Sequence, residues 1–111
     1  MAISFGFEIE KKGATPGQMK QVHGKTLIEY ESGSLEREAD GIYTSKTNEE
    51  VFVFTADCLP VLFGSSTHVG AVHAGWRGTK KGIIEGMLSQ FQRDSSLMVY
   101  WARVYETAVL K

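Results

Sequence analysis

The chain has 111 residues, and its 12 Lys and Arg against 13 Asp and Glu give a formal net charge of −1 at pH 7. This length predicts one domain, residues 1–111, with a single core. A charge near zero argues against a nucleic-acid partner that is bound through a basic surface. The one cysteine, Cys58, excludes an intramolecular disulfide and a multi-cysteine metal cage built by this chain alone, and it favours a reducing compartment.

The apolar runs bear on localisation. The first run, in Met1–Glu10, is interrupted by two glutamates and has no basic residues before it, so no secretion signal is expected. The longest run, Val51–Ala56, is far shorter than the roughly 20 residues that cross a bilayer. We expect a cytoplasmic protein without a membrane partner.

Apolar and β-branched runs predict the strands in chain order. These are Ile3–Ile9, Lys25–Glu31, Val51–Thr55, Val61–Phe63 and His68–His73. Val51–Thr55 has the continuous apolar character of a strand that is covered on both faces. Leu35–Tyr43 is predicted to be a charged connection, with Glu36–Asp40 as a solvated face. The tail Leu97–Leu110 could be strand or helix.

After the last of these strands, the spacing of apolar residues changes to that of an amphipathic helix. Its apolar stripe consists of Ile83, Ile84, Met87, Leu88 and Phe91. Thr79 is a plausible N-cap. A glycine-containing loop, Ala74–Gly78, joins strand and helix. Its backbone N–H groups at a helix N-terminus would suit an anion.

Three residues at strand ends have the types that a catalytic zinc site uses as ligands. Cys58 follows the strand Val51–Thr55, His73 ends another strand, and His23 precedes the strand Lys25–Glu31. A lone histidine or cysteine at such a place is often only structural. Together, one thiolate and two imidazoles match a zinc site with an open fourth position. The spacings of 35 and 15 residues match no zinc finger, so convergence depends on the fold.

Further residues near these strand ends could bind substrate. Arg77 can clamp phosphate or carboxylate with its planar fork, although it could equally be a surface ion-pairing arginine. Trp76 could stack on a base or simply pack. Asp57 could assist catalysis or orient a metal ligand. His68 is five residues before His73 and therefore on the opposite face of the strand, so it is expected to be structural or exposed.

Three sequence blocks resemble the signatures of one bacterial family. They are Gln21–Gly24 (QVHG), Thr55–Val61 (TADCLPV) and His73–Gly78 (HAGWRG), with Ala39–Gly41 (ADG) between the first two. The family has been described as laccase-like multicopper polyphenol oxidase, as peptidoglycan editing factor, and as purine nucleoside phosphorylase with adenosine deaminase activity. The resemblance covers residues 18–91. The tail, residues 95–111, does not resemble the family, so a truncated or divergent member is expected.

The resemblance implies a zinc site formed by His23, Cys58 and His73, with copper as the older assignment. It implies catalytic roles for Cys58, His73, Asp57 and Arg77, and phosphate or substrate binding by Gly75, Trp76, Arg77 and Gly78. The implied fold is α/β (α+β), a layered sandwich of mixed β-sheets with flanking helices. This fold is similar to the catalytic domain of cytotoxic necrotizing factor, and here it is incomplete relative to the family.

The implied reactions are phosphorolysis of adenosine, inosine, guanosine and methylthioadenosine, and hydrolytic deamination of adenosine. The partners are then a purine nucleoside and phosphate. A metal-free hydrolase in which His73 deprotonates Cys58 is an alternative. Copper-dependent phenol oxidation fits poorly, because a multicopper centre needs more imidazoles than three histidines supply. An inactive zinc-binding fragment is the non-enzymatic alternative.

Overall fold

The computed structural model describes residues 5–8, 18–31, 36–46, 49–54, 59–75, 82–91, 96–101 and 107–110. The regular elements of this part, in chain order, are β1 (Phe5–Glu8), β2 (Leu27–Glu29), β3 (Gly41–Thr44), β4 (Val51–Phe54), β5 (Leu59–Gly64), β6 (Val69–Ala74), α1 (Ile83–Gln90), β7 (Met98–Trp101) and β8 (Thr107–Leu110).

Five strands form a mixed sheet in the order β2-β3-β6-β5-β7. β2 pairs with β3 in parallel, and the other neighbours are antiparallel. β6 lies at the centre of this sheet, and all six of its residues are buried. A strand covered on both faces requires such a continuous run of small and β-branched residues.

A second sheet and a helix cover the two faces of the five-stranded sheet. The second sheet is antiparallel, in the order β1-β8-β4, and its Val51 and Val53 pack with Val69 and Ala71 of β6. On the opposite face Val72 packs with a separate cluster that includes Ile83 and Met87 of α1. The fold is therefore a layered α+β structure, as predicted, with one mixed sheet and one antiparallel sheet. The likeness to cytotoxic necrotizing factor stays a prediction.

α1 approaches the sheet closely at Gly70. A Cβ atom built on Gly70 would lie 2.9 Å from Sδ of Met87, which is closer than van der Waals contact permits. Met87 itself is completely buried. The absence of a side chain at Gly70 thus lets the helix pack directly on the central strand.

Three sequence-based expectations about the elements need correction. Leu35–Tyr43 is not only a charged connection, because β3 begins at Gly41 and is an internal strand of the sheet. α1 begins at Ile83 with Gly82 as its N-cap, at φ 92°, so Thr79, which lies outside the described residues, is not the N-cap of this helix. Leu88 of the predicted apolar stripe is 38% exposed.

The remaining elements agree with the pattern or resolve an ambiguity. The strands predicted in Ile3–Ile9, Lys25–Glu31, Val51–Thr55 and His68–His73 correspond to β1, β2, β4 and β6. β5 begins at Leu59 and so includes Pro60, earlier than the predicted Val61. The undecided tail contributes two strands, β7 and β8, one to each sheet. No helix in the described part of the chain is long and apolar enough to span a membrane.

Candidate active site

The buried carboxylate of Asp40 organises the candidate site. Asp40 directly precedes β3 and has no solvent exposure. Its Oδ1 accepts hydrogen bonds from the backbone N–H groups of Val22 and Gly24 at 3.0 and 2.9 Å. Its Oδ2 accepts bonds from the backbone N–H of His23 at 3.0 Å and from Nδ1 of His73 at 2.7 Å. One carboxylate thus joins two segments that are far apart in the sequence.

The loop that carries His23 wraps around this carboxylate. Three successive backbone N–H groups, those of Val22, His23 and Gly24, point at Asp40, which is the geometry of an anion-binding nest. His23 adopts a left-handed conformation, with φ 60°. Histidine is one of the few residue types other than glycine that are enriched in this region. The nest therefore fixes the backbone from which the His23 ring extends.

His73 is fixed by two hydrogen bonds to the same aspartate. Its ring donates from Nδ1 to Oδ2, and its backbone N–H donates to the carbonyl oxygen of Asp40 at 2.7 Å. The residue is 4% exposed. Because a carboxylate can only accept, Nδ1 carries the proton and Nε2 is the ring nitrogen that can bind a metal or take a proton.

The rings of His23 and His73 lie next to each other. Their centroids are 4.9 Å apart, and their planes meet at 78°. His23 is exposed while His73 is buried. The pair therefore lies at the boundary between core and solvent.

The hydrogen bonds to Asp40 also keep it ionised. Burial by itself would raise the pKa of this carboxyl group. The bonds from His73 and from the backbone N–H groups of Gly24, Val22 and His23 outweigh that effect and hold the pKa below its ordinary value of 3.8. At neutral pH the site therefore contains a buried negative charge next to the His73 ring.

Comparisons with known proteins identify the family. The family model described as multi-copper polyphenol oxidoreductase laccase matches residues 8–103. The chain belongs to this laccase family. The match confirms the predicted resemblance and extends beyond residues 18–91 at both ends.

Relatives within the laccase family have names that refer to nucleosides. The chain is 39% identical over 97 residues to a purine nucleoside phosphorylase of Haemophilus influenzae. The aligned region covers 84% of this chain and 40% of that protein. It is 37% identical over 89 residues to the purine nucleoside phosphorylase YfiH of Escherichia coli. That aligned region covers 78% of this chain and 37% of the YfiH protein.

A solved structure of similar fold is that of YlmD from Geobacillus stearothermophilus. It matches with a TM-score of 0.68 and 27% identity, over 78% of this chain and 38% of that chain. The chain spans about two fifths of the length of these relatives.

The structure brings together two of the three predicted metal ligands of this laccase-family chain, His23 and His73. Cys58 lies outside the described residues, as do Asp57, Trp76, Arg77 and Gly78. Gly75 is described, and it is buried directly after β6. Among the described residues, no group of three or more His, Cys, Asp or Glu side chains is placed to hold a metal ion.

His68 takes no part in the site. Its Nδ1 lies 2.8 Å from Oγ1 of Thr67, and its ring lies against Phe91 at the end of α1, with centroids 5.9 Å apart. Val69 and Ala71, which alternate with it along the chain, point into the other cluster. The prediction that His68 faces away from His73 is confirmed.

Asp40 is the site residue that the sequence analysis missed. The expectation of a solvated face holds for Glu36, Arg37 and Glu38, which are exposed, but it is wrong for Asp40. The available signal was local: Asp40 is flanked by Ala39 and Gly41, which are small enough for tight packing, and Ile42 follows. A carboxylate at the start of an apolar run is a candidate for burial.

Proposed function

We propose that this chain carries a zinc site formed by His23, His73 and Cys58, and that it acts on purine nucleosides. The observation that supports this proposal most strongly is the Asp40–His73 hydrogen bond beside the His23 ring. A carboxylate that fixes the tautomer and orientation of a histidine is the usual partner of a histidine that binds zinc. The described residues therefore fit the metal in donor type, in tautomer and in their support.

Zinc, when bound, supplies a Lewis acid that polarises the group to be attacked. The protein residues do the rest. Asp40 holds Nδ1 of His73 protonated, so that Nε2 keeps its lone pair for a ligand. The nest fixes the backbone of His23, from which the second imidazole extends. We assign Cys58 as the third ligand and Asp57 as a residue that orients the site or assists it.

The phosphate of a phosphorolysis reaction would bind next to this centre. We assign it to Arg77 with the backbone N–H groups of Gly75, Trp76 and Gly78. A guanidinium fork matches the geometry of a phosphate oxyanion, and backbone N–H groups are suitable additional donors to it. Because α1 begins only at Ile83, this assignment does not use the N-terminus of that helix. Phosphate held there against the ribose C1′ atom would be positioned for attack, and positioning supplies much of the rate in such reactions. Adenosine, inosine, guanosine and methylthioadenosine are the proposed substrates, and deamination of adenosine is the proposed second reaction.

The Asp40–His73 pair also suits a second candidate function, that of a metal-free cysteine hydrolase. A histidine oriented by a carboxylate is the general base of nucleophile–histidine–acid triads. In that case His73 would deprotonate the thiol of Cys58. Copper-dependent phenol oxidation has less support. His68 faces away from the site, so only His23 and His73 remain as imidazole ligands, which are too few for a multicopper centre.

Metal analysis combined with an activity assay separates these candidates. The purified chain is assayed for bound zinc and copper, and for release of free purine from adenosine with and without phosphate. We expect about one zinc per chain, lost in His23→Ala and His73→Ala and kept in the control His68→Ala. A wild type that hydrolyses substrate without metal, and that iodoacetamide inactivates, would favour the cysteine hydrolase. A zinc-binding wild type that releases no purine and no ammonia would contradict the proposed activity.

A further inference from the structure

The backbone of His23 is strained. Its φ angle is 60°, and His23 is the one residue other than glycine with a positive φ in the described part of the chain. In this left-handed region the Cβ atom lies too close to the following carbonyl oxygen, so residues other than glycine adopt it at a cost in free energy. Histidine tolerates the region better than most residues, but it does not prefer it. The surroundings of His23 must therefore compensate for the strain.

The hydrogen bonds to Asp40 provide this compensation. The carboxylate accepts the N–H of His23 at 3.0 Å, and it accepts those of Val22 and Gly24 at 3.0 and 2.9 Å. Asp40 is fully buried, and hydrogen bonds to an ionised acceptor are stronger than neutral ones. Relaxation of His23 to an ordinary conformation would end the convergence of the three N–H groups on this carboxylate.

The segment that leads into the loop is attached to the edge of β4 by two side-chain amides. The amide of Gln21 donates to the carbonyl of Phe54 at 2.8 Å and accepts from the N–H of the same residue at 2.9 Å. The amide of Gln18 donates to the carbonyl of Glu50 at 2.7 Å and accepts from the N–H of Phe52 at 2.8 Å. The residue directly before the nest is therefore fixed to a strand of the second sheet.

The segment that follows the loop is attached to the five-stranded sheet. The carbonyl of Thr26 accepts the N–H groups of Asp40 and Gly41 at 3.0 and 3.2 Å, and β2 begins at the next residue, Leu27. The loop is thus fixed at both ends, to different sheets, and at its centre by Asp40. It cannot relieve the strain at His23 by moving as a unit, because such a movement would break bonds at one of these three points.

We infer that the fold holds the His23 loop preset in a strained conformation, with Asp40 as the residue that positions it before any ligand binds. The inference rests on the proposed function for its purpose, which is to present the exposed ring of His23 next to the ring of His73. A loop that is already in place loses less conformational entropy when a ligand binds to it. The chain therefore gives up some stability at position 23 and gains an imidazole that needs no rearrangement.

Alanine and glycine variants at two positions test the strain separately from the loss of the ring. His23→Ala and His23→Gly both remove the imidazole, and they differ from each other only in the Cβ atom. Lys25→Ala and Lys25→Gly are the matched control, because Lys25 is exposed in the same loop and its φ is not positive. Urea unfolding of all four variants is measured in EDTA, so that no result depends on a metal.

His23→Gly should be more stable than His23→Ala, with an unfolding equilibrium constant about 2-fold to 5-fold smaller, because glycine adopts the left-handed region without strain. At position 25 the order should be reversed by a similar factor, since glycine there only adds conformational freedom to the unfolded chain. The same order in both pairs, or no difference at position 23, would overturn the inference. Should these variants of His23 not fold, His23→Asn should be more stable than His23→Gln for the same reason, since asparagine tolerates this region.

Amide hydrogen exchange in EDTA tests whether the loop is in place without a ligand. The N–H groups of Val22, His23 and Gly24 should exchange on the order of 100-fold more slowly than in the unfolded chain. Asp40→Asn should lose most of this protection, because an amide accepts through one oxygen only, while the exposed Glu38→Gln should keep it. Unprotected amides in the wild type would mean that only a ligand orders the loop, and would refute the preset conformation. A wild type that binds no zinc would contradict the proposed metal site, and these measurements in EDTA would still decide the inference.

Discussion

Nδ1 of His73 donates a hydrogen bond of 2.7 Å to Oδ2 of Asp40, and both side chains are buried. The same carboxylate accepts hydrogen bonds from three successive backbone N–H groups in the loop that carries His23. The two histidines are 50 positions apart in the sequence and have no direct hydrogen bond between them in the described structure. Their arrangement is therefore expected to depend on this one aspartate.

Replacement of Asp40 should affect stability and site together. Asp40→Ala leaves three backbone N–H groups and one ring N–H without their acceptor, which should lower the free energy of unfolding by on the order of 3–5 kcal/mol. Asp40→Asn keeps the size and loses the charge, so it should lose about 2 kcal/mol and bind Co²⁺ more weakly. The control is Glu38→Gln, an exposed neighbour, which should stay within about 0.5 kcal/mol. Urea unfolding and Co²⁺ titration provide both readouts, and equal behaviour of Asp40→Asn and Glu38→Gln would contradict this role.

The stability provided by Asp40 should disappear in acid. The folded state holds the pKa of Asp40 below its ordinary value of 3.8, so the unfolded chain takes up the proton first as pH falls. The contribution is thus complete above the ordinary pKa and is lost as pH falls through the lower, folded-state pKa. The difference in unfolding free energy between wild type and Asp40→Asn should be full near about pH 5 and should narrow below about pH 4. Urea unfolding of both proteins at several pH values measures it, and a gap that widens in acid would refute the assignment.

Arg77→Ala should separate the two proposed reactions. Only phosphorolysis binds an oxyanion nucleophile, so loss of the guanidinium should weaken phosphate binding by about 2 kcal/mol and raise the phosphate concentration needed for purine release. Deamination of adenosine without phosphate should change far less. Both rates are measured on the same enzyme preparation across a phosphate series. An equal loss in both reactions would mean that Arg77 supports the fold or the metal site instead.

Gly70→Ala tests the close packing of α1 on the sheet. The new methyl group would meet Sδ of the buried Met87, so we expect a loss of roughly 1–3 kcal/mol in unfolding free energy. Shortening that side chain should remove the conflict. In a Met87→Val background, therefore, Gly70→Ala should cost clearly less than in wild type. Strictly additive effects of the two substitutions would show that the helix does not press on the strand at this position.

The sequence predicts those strands that can be recognised from their own apolar and β-branched residues. Val51–Thr55 identifies β4 because its own residues are apolar and β-branched. β3 was missed because Gly41–Thr44 is short and follows charged residues, and it becomes a strand through pairing with β6, which is distant in the chain. β7 and β8 could not be assigned, because their partners are β5, β1 and β4.

The sequence predicts the two histidines of the site, but it does not predict the residues that hold them in place. His23 and His73 could be identified because they stand at strand ends in a chain with only 3 His and 1 Cys. The role of Asp40 depends on a fold that brings residues 22–24 and 73 around one carboxylate, and its charged neighbours gave the impression of a solvated surface. Gln21 was part of a recognised block, but the strand edge it pairs with is 33 positions away.

The glutamine amides on β4 have a consequence for solubility. Val51-Phe52-Val53-Phe54 is an uncharged apolar segment of high β-propensity, the kind that joins strands of other molecules into aggregates when its edge is open. β8 takes one edge of it. On the other edge, the side-chain amides of Gln18 and Gln21 bond to the backbone groups of Glu50, Phe52 and Phe54. A strand from a second copy would therefore have to displace both amides before it could pair with this edge.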